Sequence, residues 1–268
     1  MPGRLRGAVR ALALVALGAL LATTVFAVAA KRPAKPAKRQ PTPAHSIRDT
    51  GVGLPRIGSH GTLGIAEFTQ SVRDYHDSGS YAADLETVGS QAESFMVRQA
   101  RAVRAQAKRR CAAKPKRPCR KPKLAVVLDI DETSLSNYEE LNAANFSGAQ
   151  GALVLAITSA DSPAIAPTLD LYRRARAMNV SVFFVTGRLP GLEGLTRQNL
   201  TSAGYTDVAG LYMKPSDLAT IAFKSASRAD IESQGYRIIV NVGDQESDLT
   251  GGGADRTYKL PNPFYFIG

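Results

Sequence analysis

The chain has 268 residues with 34 Lys or Arg, 23 Asp or Glu and two Cys, a length that fits one α/β domain with appendages or at most two small domains. Its formal charge of +11 is unevenly spread: residues 1–39 hold eight of the basic residues and residues 101–123 hold eleven, with no acid in either stretch. Removing those 19 from 34 leaves 15 basic against 23 acidic residues, so the basic charge belongs to two appendages; with no stacking aromatics beside it, a nucleic-acid partner is not expected.

Arg4, Arg6 and Arg10 precede an apolar run from Ala11 to Ala30, and Ala27-Val28-Ala29 offers a small-residue cleavage site. Residues 1–29 therefore read as a secretory signal peptide; twenty apolar residues could also serve as an uncleaved membrane anchor. Residues 30–60 begin with Lys31-Arg-Pro-Ala-Lys-Pro-Ala-Lys-Arg-Gln-Pro-Thr-Pro43, a basic, proline-rich linker that cannot bury a core. Its charge suits an anionic cell-envelope surface, so the protein is expected to be secreted or envelope-associated.

Residues 61–268 form the folded domain. Ser80 is expected to cap a long helix, on which Tyr81, Leu85, Val88, Ala92 and Phe95 make one apolar stripe that packs on a sheet. A basic loop over residues 101–123 follows, containing Cys111 and Cys119. In an exported chain these read as one disulfide, since neither has a neighbouring Cys or His to complete a metal site.

Leu124-Ala-Val-Val-Leu128 then reads as a strand buried on both faces, as in parallel α/β sheets, whose ligands bind at the strands' carboxyl ends. It runs directly into Asp129-Ile-Asp131-Glu-Thr133. Alternation turns Asp129 and Asp131 the same way, although the chain must bend after Ile130; one carboxylate can attack phosphorus while the other handles protons. A stretch rich in small residues, 134–166, follows. Ser181-Val-Phe-Phe-Val185 reads as a second buried strand and ends in Thr186-Gly187-Arg188; Lys224 follows in Phe223-Lys224-Ser225. A third strand, Arg237-Ile-Ile-Val-Asn-Val242, enters Gly243-Asp244-Gln245-Glu246-Ser247-Asp248.

If these strands are parallel neighbours, Asp129, Asp131, Asp244 and Asp248 converge at one sheet edge. Each like-charge pair at ~4 Å would repel by about 4 kcal/mol at an effective dielectric near ~20. A cation is therefore expected, and all-oxygen ligands beside a phosphate suit Mg²⁺. Gly51-Val-Gly53 and Gly251-Gly-Gly253 read as turns, and His45, His60 and His76 lack ligand spacing.

The ordered segments resemble the haloacid dehalogenase (HAD) superfamily of phosphohydrolases. Asp129-Ile-Asp131-Glu-Thr133 matches its DxDxT motif I, Thr186-Gly187-Arg188 motif II, Lys224 motif III, and Asp244 with Asp248 the acidic motif IV. The closing Tyr258-Lys-Leu-Pro-Asn-Pro-Phe-Tyr-Phe-Ile-Gly268 looks like the tail of the plant-type and class B acid phosphatase branch, subfamily IIIB. The resemblance covers roughly Gly61 to Gly268. It implies a Rossmann-like α/β fold: a mostly parallel sheet between helices, with an N-terminal helical extension and a small cap segment over residues 134–166, too short for a large lid and so leaving a fairly open site.

The same resemblance implies an Mg²⁺-dependent acid phosphatase that hydrolyses phosphomonoesters through an aspartyl phosphate. Asp129 would be the nucleophile and Asp131 the proton donor and acceptor. Asp129, the backbone carbonyl of Asp131 and Asp244 would hold the metal directly, with Asp248 acting through water. Thr186, Gly187, Arg188 and Lys224 would bind the substrate phosphate. Activity is expected to peak at mildly acidic pH, with Asp131 protonated beside an ionised Asp129. The alternatives are a substrate-restricted phosphatase or phosphotransferase of the same fold, or a non-catalytic envelope-binding or storage protein.

Overall fold

The computed structural model describes residues 66–113 and 118–266, and the expected signal peptide and basic linker lie outside the described residues. Strands β1 (Lys123–Leu128), β2 (Ser181–Thr186), β3 (Gly210–Met213), β4 (Tyr236–Gly243) and β5 (Arg256–Lys259) form one sheet in the order β3-β2-β1-β4-β5. Every pairing is parallel. The three strands that carry the acidic and Thr-Gly-Arg motifs are therefore adjacent, with β1 central, and their carboxyl ends lie along one edge.

The apolar runs are buried on both faces, as the lack of polar alternation predicts. Val126 and Leu128 of β1 and Val182 and Phe184 of β2 enter the larger core. Ala125 and Val127 with Phe183 and Val185 enter a second core under α7 (Thr220–Ser233), supplied by Phe223 and Ile231. Each fully buried Val, Leu or Phe contributes about 1.5–3 kcal/mol, which sets the register because a one-residue slip would exchange the two faces.

Helices α1 (Ala66–Asp77) and α2 (Ser80–Ala112) form the N-terminal extension. Ser80 does not cap α2: the cap position belongs to Gly79, whose φ of 80° turns the chain between the two helices, a conformation glycine adopts without a Cβ clash. The apolar stripe runs Tyr81, Leu85, Val88, Ala92, then Met96 and Ala100. Phe95 stays only partly buried, with the Arg256 guanidinium 4.6 Å from its ring centroid. Gly89 admits the closest approach to the next layer, since a Cβ there would lie 2.5 Å from that of Pro167.

The basic stretch is helical as far as Ala112 rather than a loop from residue 101, because Arg, Ala, Gln and Lys are strong helix formers and Pro115 is its first breaker. Cys111 and Cys119 form a disulfide with Cα atoms 5.5 Å apart. It precedes β1, whose six residues separate it from the sheet's carboxyl edge by about 20 Å. Cys111→Ser should thus lower stability by up to ~2.5 kcal/mol while leaving kcat within about twofold. Parallel melting and kinetic measurements check this, and a large kcat loss would contradict the separation.

Candidate active site

The chain leaves β1 through a tight turn built on one carbonyl. Ile130 C=O accepts from the amides of Thr133 (3.2 Å), Ser134 (2.8 Å) and Leu135 (2.9 Å). Glu132 takes a left-handed φ of 52° there, costing roughly 1–2 kcal/mol for a non-glycine residue. Its buried Oε1 accepts the Asn137 amide at 2.7 Å, while Oε2 has no partner. Burial raises the Glu132 pKa well above the usual carboxylate range.

The cap segment that follows consists of α3 (Tyr138–Ala143) and α4 (Ala149–Ser159) and returns into α5 (Ala166–Ala177). Its neck is stitched shut by Ser136 N–H to Pro163 C=O and Ile165 N–H to Ser134 C=O, each 2.9 Å.

Three of the four expected carboxylates converge. Asp129, Asp244 and Asp248 are buried and bring carboxylate oxygens within 4.8 Å of one another. Lys224, on the second turn of α7, sits between them: its Nζ donates to Asp129 Oδ1 at 2.7 Å and to Asp248 Oδ1. Burial opposes the Lys224 charge, but Asp129 and Asp248 hold its pKa above the ordinary value. For Asp129, burial and then Asp248 push the pKa well up against the pull of Lys224. Burial and Asp248 likewise raise Asp244 to about 6, although Asn262 and Gln245 hydrogen-bond to it. The donor set fits a hard divalent cation: three buried carboxylates face one ammonium, and all the candidate ligand atoms are oxygen.

Asp131 is the fourth, and its side chain turns out of the cluster. Its Oδ1 accepts from Arg188 Nη2 at 2.8 Å and Asn137 Nδ2 at 3.0 Å, and Arg188 Nε lies 3.1 Å from Oδ2. The bend after Ile130 and these donors overcome the simple alternation that would have aimed Asp131 with Asp129. Burial would raise the Asp131 pKa, but the Arg188 charge and hydrogen bonds, with Asn137, hold it below the usual range. These directions, with Asp131 held below and Asp129 pushed above the usual carboxylate range, run opposite to the expected pairing of a protonated Asp131 with an ionised Asp129.

Motif II reaches the same edge. Thr186 closes β2 with its hydroxyl accepting the Arg188 amide at 3.1 Å. Gly187 is exposed, with open space where a Cβ would stand, leaving room at its backbone for an anion. The Arg188 side chain is only 1% exposed and lies against Asp131, whose own side chain is 17% exposed.

Several supporting residues are not evident from the motifs. Asp244 accepts from Thr133 Oγ1 (3.1 Å), Gln245 Nε2 (2.6 Å) and Asn262 Nδ2 (2.7 Å). Asn262 lies between Pro261 and Pro263, and its Oδ1 also accepts the Phe264 amide at 2.8 Å; that Asx-type turn was the available sequence signal. Asp248 Oδ2 accepts the Gln245 amide at 2.8 Å in a capping box at the start of α8 (Glu246–Leu249). Arg228, one turn after Lys224, is 1% exposed. It donates to the carbonyls of Asp248 (2.6 Å), Thr250 and Gly252 (2.7 Å). Positive φ at Gly251, Gly252 and Gly253 lets this turn wrap around the guanidinium.

The family described as HAD superfamily, subfamily IIIB (Acid phosphatase) matches residues 62–268. The chain is 35% identical over 155 residues to a stem 28 kDa glycoprotein of Glycine max, covering 54% of this chain and 61% of that one. It is 33% identical over 152 residues to acid phosphatase 1 of Solanum lycopersicum, covering 53% and 58%. Vegetative storage protein 1 of Arabidopsis thaliana is 32% identical over 147 residues, covering 53% and 54%. The aligned region thus spans little more than half the length of these curated relatives. In fold, the chain is similar to the class C acid phosphatase of Bacillus anthracis, with a TM-score of 0.53 and 20% identity over 74% of this chain and 86% of that one. A match over the whole described domain, with its motifs gathered at one sheet edge, means that the chain belongs to the HAD superfamily, subfamily IIIB, the acid phosphatase family.

Proposed function

We propose that the protein is a metal-dependent acid phosphatase that hydrolyses small phosphomonoesters through an aspartyl-phosphate intermediate. The observation that carries this reading is the pair Asp129 and Asp131. Asp129 is buried at the end of β1 with Lys224 at 2.7 Å, while Asp131, two residues on, is the more open carboxylate at the mouth.

Asp129, Asp244 and Asp248, with the Asp131 carbonyl, are the residues that would hold the cation, and Mg²⁺ suits their all-oxygen set. Bound there, a divalent cation offsets negative charge on the carboxylates and on the phosphoryl group. Asp129 Oδ attacks phosphorus as the bond to the leaving oxygen breaks, and a proton on Asp131 passes to that oxygen. Asp131 then takes a proton from the water that hydrolyses the intermediate. A phosphate dianion arriving beside Asp131 raises its pKa against the pull of Arg188, favouring the protonated form this step needs. Thr186, Gly187 and Lys224 supply donors for the non-transferred oxygens.

Export to an envelope or outside the cell is supported by the signal-like run of residues 11–30 and by the Cys111–Cys119 disulfide, a bond that persists in oxidising compartments. Among the described residues no helix is long and apolar enough to cross a membrane. Exposed Arg101, Lys108, Arg109 and Arg110 on α2 suit contact with an anionic surface. A storage role is favoured by the relatives titled vegetative storage protein; the intact Asp129, Asp131, Lys224 and Asp244 weigh against a silent site.

Phosphate release from a panel of esters, measured with and without Mg²⁺, tests the reading. The short cap, α3 and α4, leaves few walls for the leaving group, so affinity should come chiefly from the phosphate. An aryl phosphate and several nucleoside monophosphates should therefore have kcat/KM values within about two orders of magnitude of one another. A single ester preferred by more than about 10⁴ would favour the substrate-restricted alternative.

A further inference from the structure

We infer that Asn137 and Arg188 are positioning residues that fix the Asp131 carboxylate for proton transfer, and that Arg188 serves this proton donor instead of gripping the substrate phosphate. The inference rests on the phosphatase reading above and deepens it. Arg188 directs Nε and Nη2 at Asp131, with Nη2 to Oδ1 at 2.8 Å and Nε 3.2 Å from Oδ1 and 3.1 Å from Oδ2. Its Nη1 is tethered by the buried Thr196 hydroxyl of α6 (Glu193–Ser202) at 3.3 Å. At 1% exposure the Arg188 side chain lies beneath Asp131, so a phosphate arriving from solvent meets Asp131 first.

Asn137 completes the clamp from the cap segment. Its Nδ2 donates to Asp131 Oδ1 at 3.0 Å, its Oδ1 accepts from Ser162 Oγ at 3.0 Å, and its amide is held by Glu132 Oε1 at 2.7 Å. Ser162 is anchored in turn, its carbonyl accepting from Asn199 Nδ2 of α6 at 2.8 Å. Both ends of the cap segment and α6 therefore determine where one carboxylate points. Oδ1 accepts from Asn137 Nδ2 and Arg188 Nη2 and shares the single Arg188 Nε hydrogen with Oδ2, which takes neither of the other two donors. Oδ2 is thus the oxygen left to carry the proton. As the Asp129–phosphorus bond forms and the bond from phosphorus to the leaving oxygen breaks, the Oδ2 proton moves to that oxygen and the alcohol departs. The carboxylate left behind is the species that Arg188 and Asn137 stabilise.

Proton donation matters most when the leaving alkoxide is poor, and that separates this role from phosphate binding. The test compares Asn137→Ala and Arg188→Lys with wild type on ethyl phosphate, whose leaving group needs a proton, and on 2,4-dinitrophenyl phosphate, whose leaving group does not. Each variant should lose roughly 10²-fold or more in kcat/KM on the alkyl ester and less than about fivefold on the dinitrophenyl ester. Inhibition by inorganic phosphate should stay within about threefold of wild type. Equal losses on both esters, with weakened phosphate inhibition, would assign Arg188 to the phosphate and overturn the inference. If Asn137→Ala melts too low to assay, Asn137→Ser takes its place on the same two esters; in the variant that folds, adding the substitution to Asp131→Ala should have no further effect, because a clamp is idle once its carboxylate is gone, and an additional loss there also overturns it. Failure of the phosphatase reading itself would look different, as wild type would release no phosphate from either ester.

Discussion

Asp129→Asn should abolish turnover, lowering kcat by about 10⁴-fold or more, while the far-UV spectrum and melting transition remain those of a folded protein. Asn is nearly isosteric and can still accept from Lys224 Nζ, which stands 2.7 Å from Asp129 Oδ1, so the loss would be chemical. Wild type quenched during turnover should carry phosphate in an acid-stable, hydroxylamine-labile linkage, the behaviour of an acyl phosphate, and the variant should carry none. Phosphate release and radiolabel incorporation read both outcomes. Wild-type activity in Asp129→Asn would refute the aspartyl-phosphate mechanism.

Removing divalent metal should have an effect of similar size. Asp129, Asp244 and Asp248 bring carboxylate oxygens within 4.8 Å of one another against the Lys224 ammonium. EDTA should abolish activity and Mg²⁺ restore it, and full activity of metal-free enzyme would contradict the need for a cation. Stability supplies a reading independent of turnover. A ligand at about 100 times its Kd stabilises by about 2.7 kcal/mol, a rise of roughly 5–10 °C in Tm for a domain of this size.

The shift should depend on pH in one direction. Asp244 is raised to about 6 by burial and Asp248. A raised carboxyl favours the metal-free fold fully below its unfolded pKa near ~4 and loses that contribution as pH rises through its folded value. A cation competes with the same proton. The Mg²⁺-induced rise in Tm should therefore be larger at pH 7.5 than at pH 5, and thermal melts at both values measure it. An equal or reversed shift would remove Asp244 from the metal site.

Much of this architecture is legible in the chain because it follows from short-range rules. The apolar run 124–128 of β1 and the uncharged β2 announce strands covered on both faces, and a carboxylate directly after such a strand must lie at the sheet's carboxyl edge. The spacing of Asp129, Thr186, Lys224 and Asp244 along alternating strands and helices then brings these residues to one place, given parallel pairing. Cys111 and Cys119 likewise identify each other as the two cysteines present.

Tertiary structure alone decided where side chains spend their hydrogen bonds. Asp131 follows the period-two pattern in sequence, yet the turn on Ile130 C=O and the donors of Arg188 and Asn137 direct it away from Asp129, Asp244 and Asp248. Arg188 reads as an anion binder by its motif, and only its burial beneath Asp131 shows whom it faces. Arg228 and Asn262 reach the acidic loop from a helix face and from the chain's tail. Asn137 is six residues from Asp131 but across the turn, and the other partners are 18 to 57 residues away along the chain, so no local periodicity encodes them. What the sequence by itself determined is which elements meet at the sheet edge, because burial and strand pairing act on every residue in a run. Which carboxylates cluster and which one turns to Arg188 and Asn137 depended on competition among a few buried donors, and that is settled only when distant elements pack.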